Sequence, residues 1–345
     1  MLKRMLSCKS NIFSHFPARS ILWIAVTLLV LALPSSASTA QPVQSPGEVQ
    51  IPSQSDWTDH GTILSEGVPG SWDARLEGAI SPDTMVKKNG TYYLYYIGAN
   101  GDRSTDGGPR HRALGVATSN DGINFTRYGG NPVITHLPHN NQEEGVFSAA
   151  ATRDSNGDIV LYYGALWAAD STTENVDIYF DLATSTNGLN FNNPPGYVRQ
   201  NTGREEDPVG VLRANGNWYV YFIDNESGWD LKLLSGPARD ILTSLTSLLT
   251  SGTDIIGGGD PAPIAPDRVA LFLVRDFKTW QVEVRTAPVS APHQLSAPVE
   301  TYDFPNMLHS LVYLDLETNT WFMYYLNGAG DGIGVKTAPA TIVGD

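Results

Sequence analysis

Cysteine is almost absent from this chain of 345 residues, in which Cys8 is the only one. One thiol cannot form an intramolecular disulfide, and a thiolate metal site needs several. Cys8 also precedes the segment that we expect to be the mature protein. Disulfides, thiolate metal sites and a cysteine nucleophile are therefore excluded there, and the stability of the fold must come from packing.

Basic residues are scarce as well, with 22 Lys and Arg against 36 Asp and Glu and a formal net charge of −14. Proteins bind nucleic acids largely by neutralising phosphates with Lys and Arg, and no long basic run occurs here. The composition therefore excludes nucleic acid as a partner. It favours a neutral or cationic ligand.

No apolar run is long enough for a membrane-spanning helix, which needs roughly 20 residues. The most apolar run, residues 21–33, follows four basic residues at positions 3, 4, 9 and 19, and the small-residue stretch PSSASTA ends at Ala40. This is the three-part layout of an export signal. We predict that residues 1–40 are a signal peptide and that the protein is secreted, extracellular or periplasmic, with no membrane association afterwards.

Residues 41–55 are rich in Pro, Gln and Ser, which predicts a flexible linker before a domain over residues 56–345. Helical periodicity is weak in this domain, and residues 239–249, the one stretch with some helical character, are ambiguous. The chain has no GxSxG, HExxH or phosphate-binding glycine motif. Esterase, zinc protease and nucleotide enzyme functions therefore have no support.

Five segments of similar sequence recur through the domain at intervals of about 50 to 70 residues, each a turn followed by a β-branched and aromatic run. They are NGTYYLYY from Asn89, NGDIVLYY from Asn156, NGNWYVYF from Asn215, PDRVALFL from Pro266 and TNTWFMYY from Thr318. Each is typical of the second strand of a hairpin. The runs are apolar on both faces, as expected where neighbouring sheets cover both sides.

The repeats predict an all-β fold, a five-bladed β-propeller with four-stranded antiparallel blades around a central channel. ATSNDGINF from Ala117 and ATSTNGLNF from Ala183 are a second repeated element, which we interpret as outer strands entering a turn. The segment that begins at Trp57 is expected to supply a strand that closes the ring with the last blade.

Polar residues mark the predicted entrance of every innermost strand, where they would converge on one mouth of the channel. The entrance positions are Ser81, Ser148, Asp207, Asp260 and Ser310, and the carboxylates around them include Asp73, Glu77, Glu143, Glu144, Glu205, Glu206 and Asp303. Glycosidic bond hydrolysis needs two carboxyl groups, one protonated and one ionised. The alternative for any single carboxylate is a turn, a cap or solvated surface.

The entrance motif, the turn, the YYLYY-type strand and ATSxDGxxF together resemble the five-bladed propeller glycoside hydrolases, especially families 43, 32, 117 and 130. In family 43 a general-base Asp comes from the first blade, a pKa-setting Asp from the second and a general-acid Glu from the third. REEDPVGVLRANGNWYVYF is similar to the third-blade acid segment, which implies Asp207 or Glu206 as the acid. The sequence Leu308-His309-Ser310 is similar to the fifth-blade motif whose histidine faces the channel.

The first two blades depart from this pattern, because Ser81-Pro82 and Ser148-Ala149 stand where the family has Asp-Pro. The base is then expected to be Asp73 or Glu77, and the second-blade carboxylate Glu144. Asp83 falls two residues into the inferred strand, so we expect a structural role for it.

Substrate binding is expected from residues near the channel mouth. These are Asp260, His309, the basic group Arg110, His111 and Arg112, and the aromatic residues Trp72, Trp167 and Trp229. The basic group could bind sugar hydroxyls or, as in family 130 phosphorylases, phosphate. The alternatives are a mobile loop for the basic group, packing between blades for the tryptophans and a structural hydrogen bond for His309.

The sequence therefore predicts a glycoside hydrolase that acts on an oligo- or polysaccharide by paired-carboxylate catalysis. A non-catalytic carbohydrate-binding propeller and a phosphate-dependent phosphorylase remain alternatives. We expect a monomer with a carbohydrate substrate, no cofactor and no bound metal. The resemblance allows a Ca²⁺ ion in the channel, although no dense Asp-x-Asp loop is present.

Overall fold

β-Strands make up nearly all the regular structure in the described part of this protein. The computed structural model describes residues 47–76, 82–99, 112–135, 143–168, 176–192, 198, 206–224, 228–250, 255–275 and 279–343. Within these residues the only helix is a 3-10 turn at Gln54–Asp56, and the ambiguous stretch 239–249 contains a strand. The prediction of an all-β chain is confirmed. No helix of the described part is long and apolar enough to cross a membrane.

The strands are short and follow one another as hairpins. In chain order they are β1 (Glu48–Val49), β2 (Thr58–Ser65), β3 (Arg75–Leu76), β4 (Thr84–Lys88), β5 (Thr91–Ala99), β6 (Arg112–Ser119), β7 (Thr126–Arg127), β8 (Glu143–Arg153), β9 (Ile159–Ala168), β10 (Val176–Ser185), β11 (Glu206–Ala214), β12 (Asn217–Asp224), β13 (Asp230–Gly236), β14 (Ser244–Leu249), β15 (Ile255–Gly258), β16 (Ala262–Ala265), β17 (Arg268–Arg275), β18 (Gln281–Pro288), β19 (Glu300–Tyr302), β20 (Met307–Asp315), β21 (Thr320–Asn327), β22 (Gly332–Pro339) and β23 (Ile342–Val343).

The five repeated segments form β5, β9, β12, β17 and β21, and each pairs antiparallel with the strand before it. Asn89-Gly90 has φ values of 51° and 80°, and Asn215-Gly216 has 51° and 76°. Two positive φ angles in a two-residue loop define the type I′ turn, which Asn and Gly tolerate best. The hairpins predicted from these turns are confirmed.

The described strands assemble into five sheets, almost entirely by antiparallel pairing. Strands β3 to β10 form an eight-stranded sheet, in which two antiparallel groups meet at one parallel contact between Arg112 and Gly145. Strands β11 to β14 form a second sheet and β15 to β19 a third. In the fourth, β20, β21 and β22 are joined by β2, and the fifth contains only β1 and β23.

The two ends of the described chain lie together. Strand β2 pairs antiparallel with β22, which confirms the strand and the pairing predicted for the segment after Trp57. Strand β1 pairs with β23, and Val49 is buried there. Residues 47–55 lie within the stretch predicted as a linker, yet they contribute to the fold because Val49 buries apolar surface there. The many Pro, Gln and Ser residues around Val49 gave no sign of this in the sequence.

We call β4, β8, β11, β15 with β16, and β20 the first strands. Consecutive first strands contact one another, and β20 also contacts β4. Their amino-terminal ends lie together, as do their carboxyl-terminal ends, which line one cavity of about 720 Å³. Asp260, between β15 and β16, also lines this cavity.

Each buried apolar cluster of the described residues joins two consecutive groups of strands. Tyr95 and Tyr163 belong to the cluster between the β5 and β9 groups, and Phe180 and Phe222 pack edge to face at 5.2 Å between the next two. A further cluster joins β20–β22 to β4–β6. Such packing explains why the second strands are apolar on both faces.

Candidate active site

Three aspartates lie together where the first strands begin, and we call them the acidic cluster. Asp83 directly precedes β4, Asp207 is the second residue of β11, and Asp260 lies between β15 and β16. Asp83 is only 9% exposed and Asp207 only 5%. The charges of Asp207 and Asp260 both act on Asp83. Residues far apart in sequence thus share one buried acidic site.

Burial raises the pKa of Asp83 well above its usual range, and the charge of Asp207 raises the pKa further. The backbone N–H of Ala149 and the charge of Arg112 act in the opposite direction. Like charges in a poorly hydrated place cannot all ionise, so a proton is retained. The Asp83 carboxyl therefore keeps its proton to a higher pH than an exposed aspartate does.

Asp260 is the second carboxyl group of the cluster with a raised pKa. Burial raises its pKa to about 8, although the Thr84 hydroxyl and the Met85 N–H both hydrogen-bond to it and lower the pKa. Thr84 Oγ1 donates to Asp260 Oδ2 at 3.0 Å and accepts from the Ala151 N–H at 3.1 Å. The network holds Asp260 against β4 and β8, at the edge of the cavity lined by the carboxyl-terminal ends of the first strands.

Asp207 is held from the neighbouring first strand. Ser148 Oγ, on β8, lies 3.2 Å from Asp207 Oδ1 and donates a hydrogen bond to it. Ser148 is itself only 4% exposed. A neutral hydroxyl therefore stands beside Asp207 at the position where the resembling family has an aspartate.

His309, near the start of β20, completes the ring of polar side chains. Burial lowers the pKa of its imidazole to about 3, and the carbonyl of Pro82 hydrogen-bonds the ring. The ring packs against Gly257, where a Cβ would lie 2.3 Å from His309 Nε2. His309 is therefore a neutral imidazole that holds the residue next to Asp83.

Three buried polar atoms in this region have no hydrogen-bond partner among the described residues. They are Asp83 Oδ2, His309 Nδ1 and Ser310 Oγ. Buried polar atoms in folded proteins are nearly always hydrogen-bonded. The acidic cluster is therefore surrounded by three buried polar atoms whose hydrogen bonds no described residue completes.

Arg112 is the member of the predicted basic group that the structure describes; Arg110 and His111 lie outside the described residues. It begins β6, and its guanidinium lies 4.4 Å from the centre of the Phe147 ring. Its charge reaches Asp83. The chain therefore places one cation beside the acidic cluster.

Asp73, predicted as the general base, has other neighbours. Arg127 Nε donates to Asp73 Oδ2 at 2.8 Å, Tyr96 OH donates at 3.0 Å, and Ser71 Oγ donates to Oδ1 at 2.9 Å. These contacts tie the loop before β3 to β5 and β7. Nothing among them joins Asp73 to the acidic cluster.

The other predicted carboxylates are described only in part. Glu77 lies outside the described residues. Glu144 lies in β8 and Glu206 begins β11, so both are at the amino-terminal ends of first strands, where the acidic cluster lies. Their side chains are not among those described.

The predicted tryptophans differ in surroundings. Trp72 packs 5.6 Å from Tyr96 within the apolar cluster that joins β20–β22 to β4–β6. Trp167 lies in β9 opposite Glu143, and its side chain is not described. Trp229 directly precedes β13 and is partly buried. Packing between sheets thus accounts for Trp72.

Asp83 is the member of the acidic cluster for which the sequence predicted a structural role. It lies at a strand entrance, next to Pro82, at the start of the shortened strand β4. The sequence Ser81-Pro82-Asp83 could have indicated it, because an aspartate follows the proline here where the resembling family has one before it. Within the described residues, no group of three His, Cys, Asp or Glu side chains is placed to hold a metal ion.

Comparison with known proteins bears on this arrangement. Residues 80–228 match the family model described as the glycosyl hydrolases family 32 N-terminal domain. The matched stretch contains Asp83, Ser148 and Asp207. No curated protein matches the chain in sequence.

Several solved structures have a similar fold. A glycosyl hydrolase from Bacteroides ovatus is 15% identical, with a TM-score of 0.55 over 86% of this chain and 98% of that one. A β-1,2-mannobiose phosphorylase from Listeria innocua is 14% identical, with a TM-score of 0.56 over 84% and 92%. A family 117 glycoside hydrolase from the marine bacterium Zobellia galactanivorans is 14% identical, with a TM-score of 0.57 over 85% and 94%. The resemblance to these glycoside hydrolase families is confirmed, and the chain has their fold.

Proposed function

We propose that this protein, built on a glycoside hydrolase fold, is a secreted glycosidase whose five groups of strands form a five-bladed propeller. The eight-stranded sheet then counts as two blades that touch at Arg112 and Gly145. The contact of β20 with β4 and the apolar cluster shared by the first and last groups support a closed ring. The first strands would line its channel, with the acidic cluster at one mouth.

The observation that carries the proposal is the buried pair of Asp83 and Asp207 at the ends of two first strands. Glycosidic bond hydrolysis requires one protonated and one ionised carboxyl group. Burial beside the like charge of Asp207 raises the pKa of Asp83 and favours its protonated form, and the Ser148 hydroxyl donates a hydrogen bond to Asp207, the member of the pair that we propose to be ionised. One pair thus provides both states.

In the proposed reaction, Asp83 gives its proton to the glycosidic oxygen as the bond from that oxygen to the anomeric carbon breaks. The bonding electron pair leaves with the oxygen. A water molecule attacks the anomeric carbon and loses a proton to Asp207, and solvent exchange restores the starting protonation. These roles reverse the family resemblance, which implied Asp207 or Glu206 as the acid and a base from the first blade.

Hydroxyl groups of the bound sugar would form hydrogen bonds with the buried polar atoms that have no partner among the described residues. Asp83 Oδ2, His309 Nδ1 and Ser310 Oγ would each gain a hydrogen bond from or to a hydroxyl group of the substrate. A polyhydroxylated and uncharged ligand therefore fits the site better than an apolar one. Carbohydrate is the partner that this chemistry favours.

Phosphorolysis is the second candidate function, because the charge of Arg112 lies beside Asp83. A guanidinium can hold a phosphate that would replace water as the nucleophile. The similar structure from Listeria innocua is a phosphorylase of β-1,2-mannobiose.

The test uses aryl glycosides of several sugars with leaving groups of graded pKa, with and without phosphate. Asp83→Asn should lower kcat at least a hundredfold on a poor leaving group and much less on dinitrophenol, which needs no acid. Asp207→Asn should lose activity on all leaving groups. Asp73→Asn is the matched control and should keep kcat within about threefold.

Other outcomes are equally informative. Full activity in both Asp83→Asn and Asp207→Asn contradicts the assignment. If only Glu206→Gln loses activity, Glu206 and not Asp207 is the base. Turnover only with phosphate establishes phosphorolysis. Saccharide binding without turnover of any substrate identifies a non-catalytic binding protein, for which the serines at the first two entrances already argue.

A further inference from the structure

Two tryptophans adopt a backbone conformation that is rare for large side chains. The described non-glycine residues with positive φ are Asn89, Asn215, Trp229, Trp280, Asn306 and Asn319. Asparagine enters the left-handed region readily, whereas an aromatic residue there is an outlier. Trp229 has φ 58° and Trp280 has φ 52°. The strain at these two positions needs a cause.

The two residues occupy equivalent places in consecutive groups of strands. Trp229 directly precedes β13 and Trp280 directly precedes β18, the third strands of their groups. In the first of these groups Glu206 is opposite Asp224, which is opposite Asp230. The start of β13 is thus two strands away from the start of β11. Because neighbouring strands are about 4.8 Å apart, Trp229 lies about 10 Å outward from the start of β11.

The same register holds in the next group, where Ile255 is opposite Arg275 and Arg275 is opposite Gln281. Trp280 is thereby at the end of the sheet where β15 begins. Both tryptophans lie on the side of the acidic cluster, one group of strands apart.

The neighbouring strands hold the strained conformation in place. The N–H of Ile255, the first residue of β15, donates to the carbonyl of Trp229 at 3.2 Å. Trp229 and Trp280 both pack, partly buried, against the apolar cluster that contains Phe272 and Trp321. A residue held at positive φ costs on the order of 1–3 kcal/mol and is found mostly at functional sites.

Glycine would adopt the same backbone at no steric cost, so the reason for tryptophan lies in its side chain. Indole rings bind the apolar faces of sugars by stacking. We propose that Trp229 and Trp280 form an aromatic rim that binds the sugar units of an extended, uncharged saccharide beyond the bond at the acidic cluster. The inference rests on the proposed function and narrows the substrate to chains of several units.

The experiment measures binding without turnover, in an Asp83→Asn background, by titration calorimetry. The ligands are disaccharides and pentasaccharides of the xylo-, arabino-, fructo- and manno-series. Trp229→Gly and Trp280→Gly should each weaken binding of the best pentasaccharide about tenfold and leave its disaccharide within about twofold. Trp229→Phe and Trp280→Phe should retain most of the affinity.

Trp57→Ala is the matched control, because Trp57 packs against the same apolar cluster at an ordinary φ of −82°. It precedes β2, whose start pairs with Thr337 at the opposite end of the sheet. This variant should lose stability and keep its affinity. If a glycine variant does not fold, Trp229→Asn and Trp280→Asn replace it, since asparagine also tolerates positive φ.

Unchanged pentasaccharide affinity in both tryptophan variants overturns the inference, as does equal weakening for both chain lengths. Failure of the parent to bind any of these saccharides overturns it too. The proposed function is judged separately, by wild-type turnover of aryl monoglycosides, which are too short to reach the rim.

Discussion

Single aspartates in this protein have opposite acidities because their surroundings differ. Asp121 accepts hydrogen bonds from the N–H groups of Ile123 and Asn124 and from the side chain of Asn124, which hold its pKa far below its usual range. Asp260 is buried with fewer donors, and its pKa rises to about 8. One serves a surface turn and the other supplies a neutral acid.

Asp260 gives the first prediction about stability. Between pH 3.8 and 8 the folded state keeps a proton on Asp260 that the unfolded chain releases, so its contribution is complete below pH 3.8 and is lost as the pH rises to 8. The unfolding free energy of Asp260→Asn minus that of the wild type should therefore rise by about 1.4 kcal/mol per pH unit between pH 5 and 8. Urea unfolding at several pH values measures this difference.

Asp315 is the control for this prediction, because its pKa is lowered and its effect on stability should change with pH in the opposite direction. Lys87 Nζ donates to its Oδ2 at 2.8 Å, and hydrogen bonds hold the pKa of Asp315 below its usual range. Asp315→Asn should destabilise the protein most above pH 4. A pH-independent difference for Asp260→Asn would mean that Asp260 is ionised in the folded protein.

At the scale of single elements, β2 is the strand whose position matters most. It comes from the amino-terminal side of the domain and joins the sheet of β20–β22. Leu64 in this strand is 4% exposed and packs in the apolar cluster that includes residues of β4, β5 and β6. One side chain thereby links the first and last groups of strands.

Leu64→Ala should lower the unfolding free energy by about 2–5 kcal/mol, because it removes buried methyl groups and leaves a cavity. The neighbouring Ser65 is exposed, and Ser65→Ala should change stability by less than about 0.5 kcal/mol. Denaturant unfolding of the two variants checks both values. Equal effects would show that β2 does not pack as described.

At the scale of the whole molecule, the pairing of β1 and β2 with strands from the other end of the described chain is the feature to test. A chain that starts at Ser45 keeps β1 and β2 and should have the melting temperature of the full protein. A chain that starts at Gly67 loses both strands and should melt on the order of 10 °C lower, because β20–β22 loses a partner strand and its share of the apolar cluster. Calorimetry measures both. Equal melting temperatures would argue against a ring that depends on β2.

Local sequence patterns were sufficient to predict much of the architecture. The turns at Asn89-Gly90 and Asn215-Gly216, the aromatic runs after them and the pairing of the segment after Trp57 were all recognised, because they depend on neighbouring residues and on alternation along a strand. Two of the three members of the acidic cluster, Asp207 and Asp260, were among the predicted site residues. In the same way, the absence of cysteine from residues 9–345 is a property of composition alone.

Packing between distant strands settled the remainder. Asp73 and Asp83 lie close in sequence and are both buried, yet Asp73 pairs with Arg127 while Asp83 lies in the acidic cluster with Asp207. Which of the two joins the acidic cluster depends on strands that lie many residues away in sequence, and no local pattern encodes their position. Burial and the charge of Asp207 at that place raise the pKa of Asp83. The strained tryptophans depend likewise on neighbouring strands, since the chain adopts such a conformation only where surrounding contacts impose it.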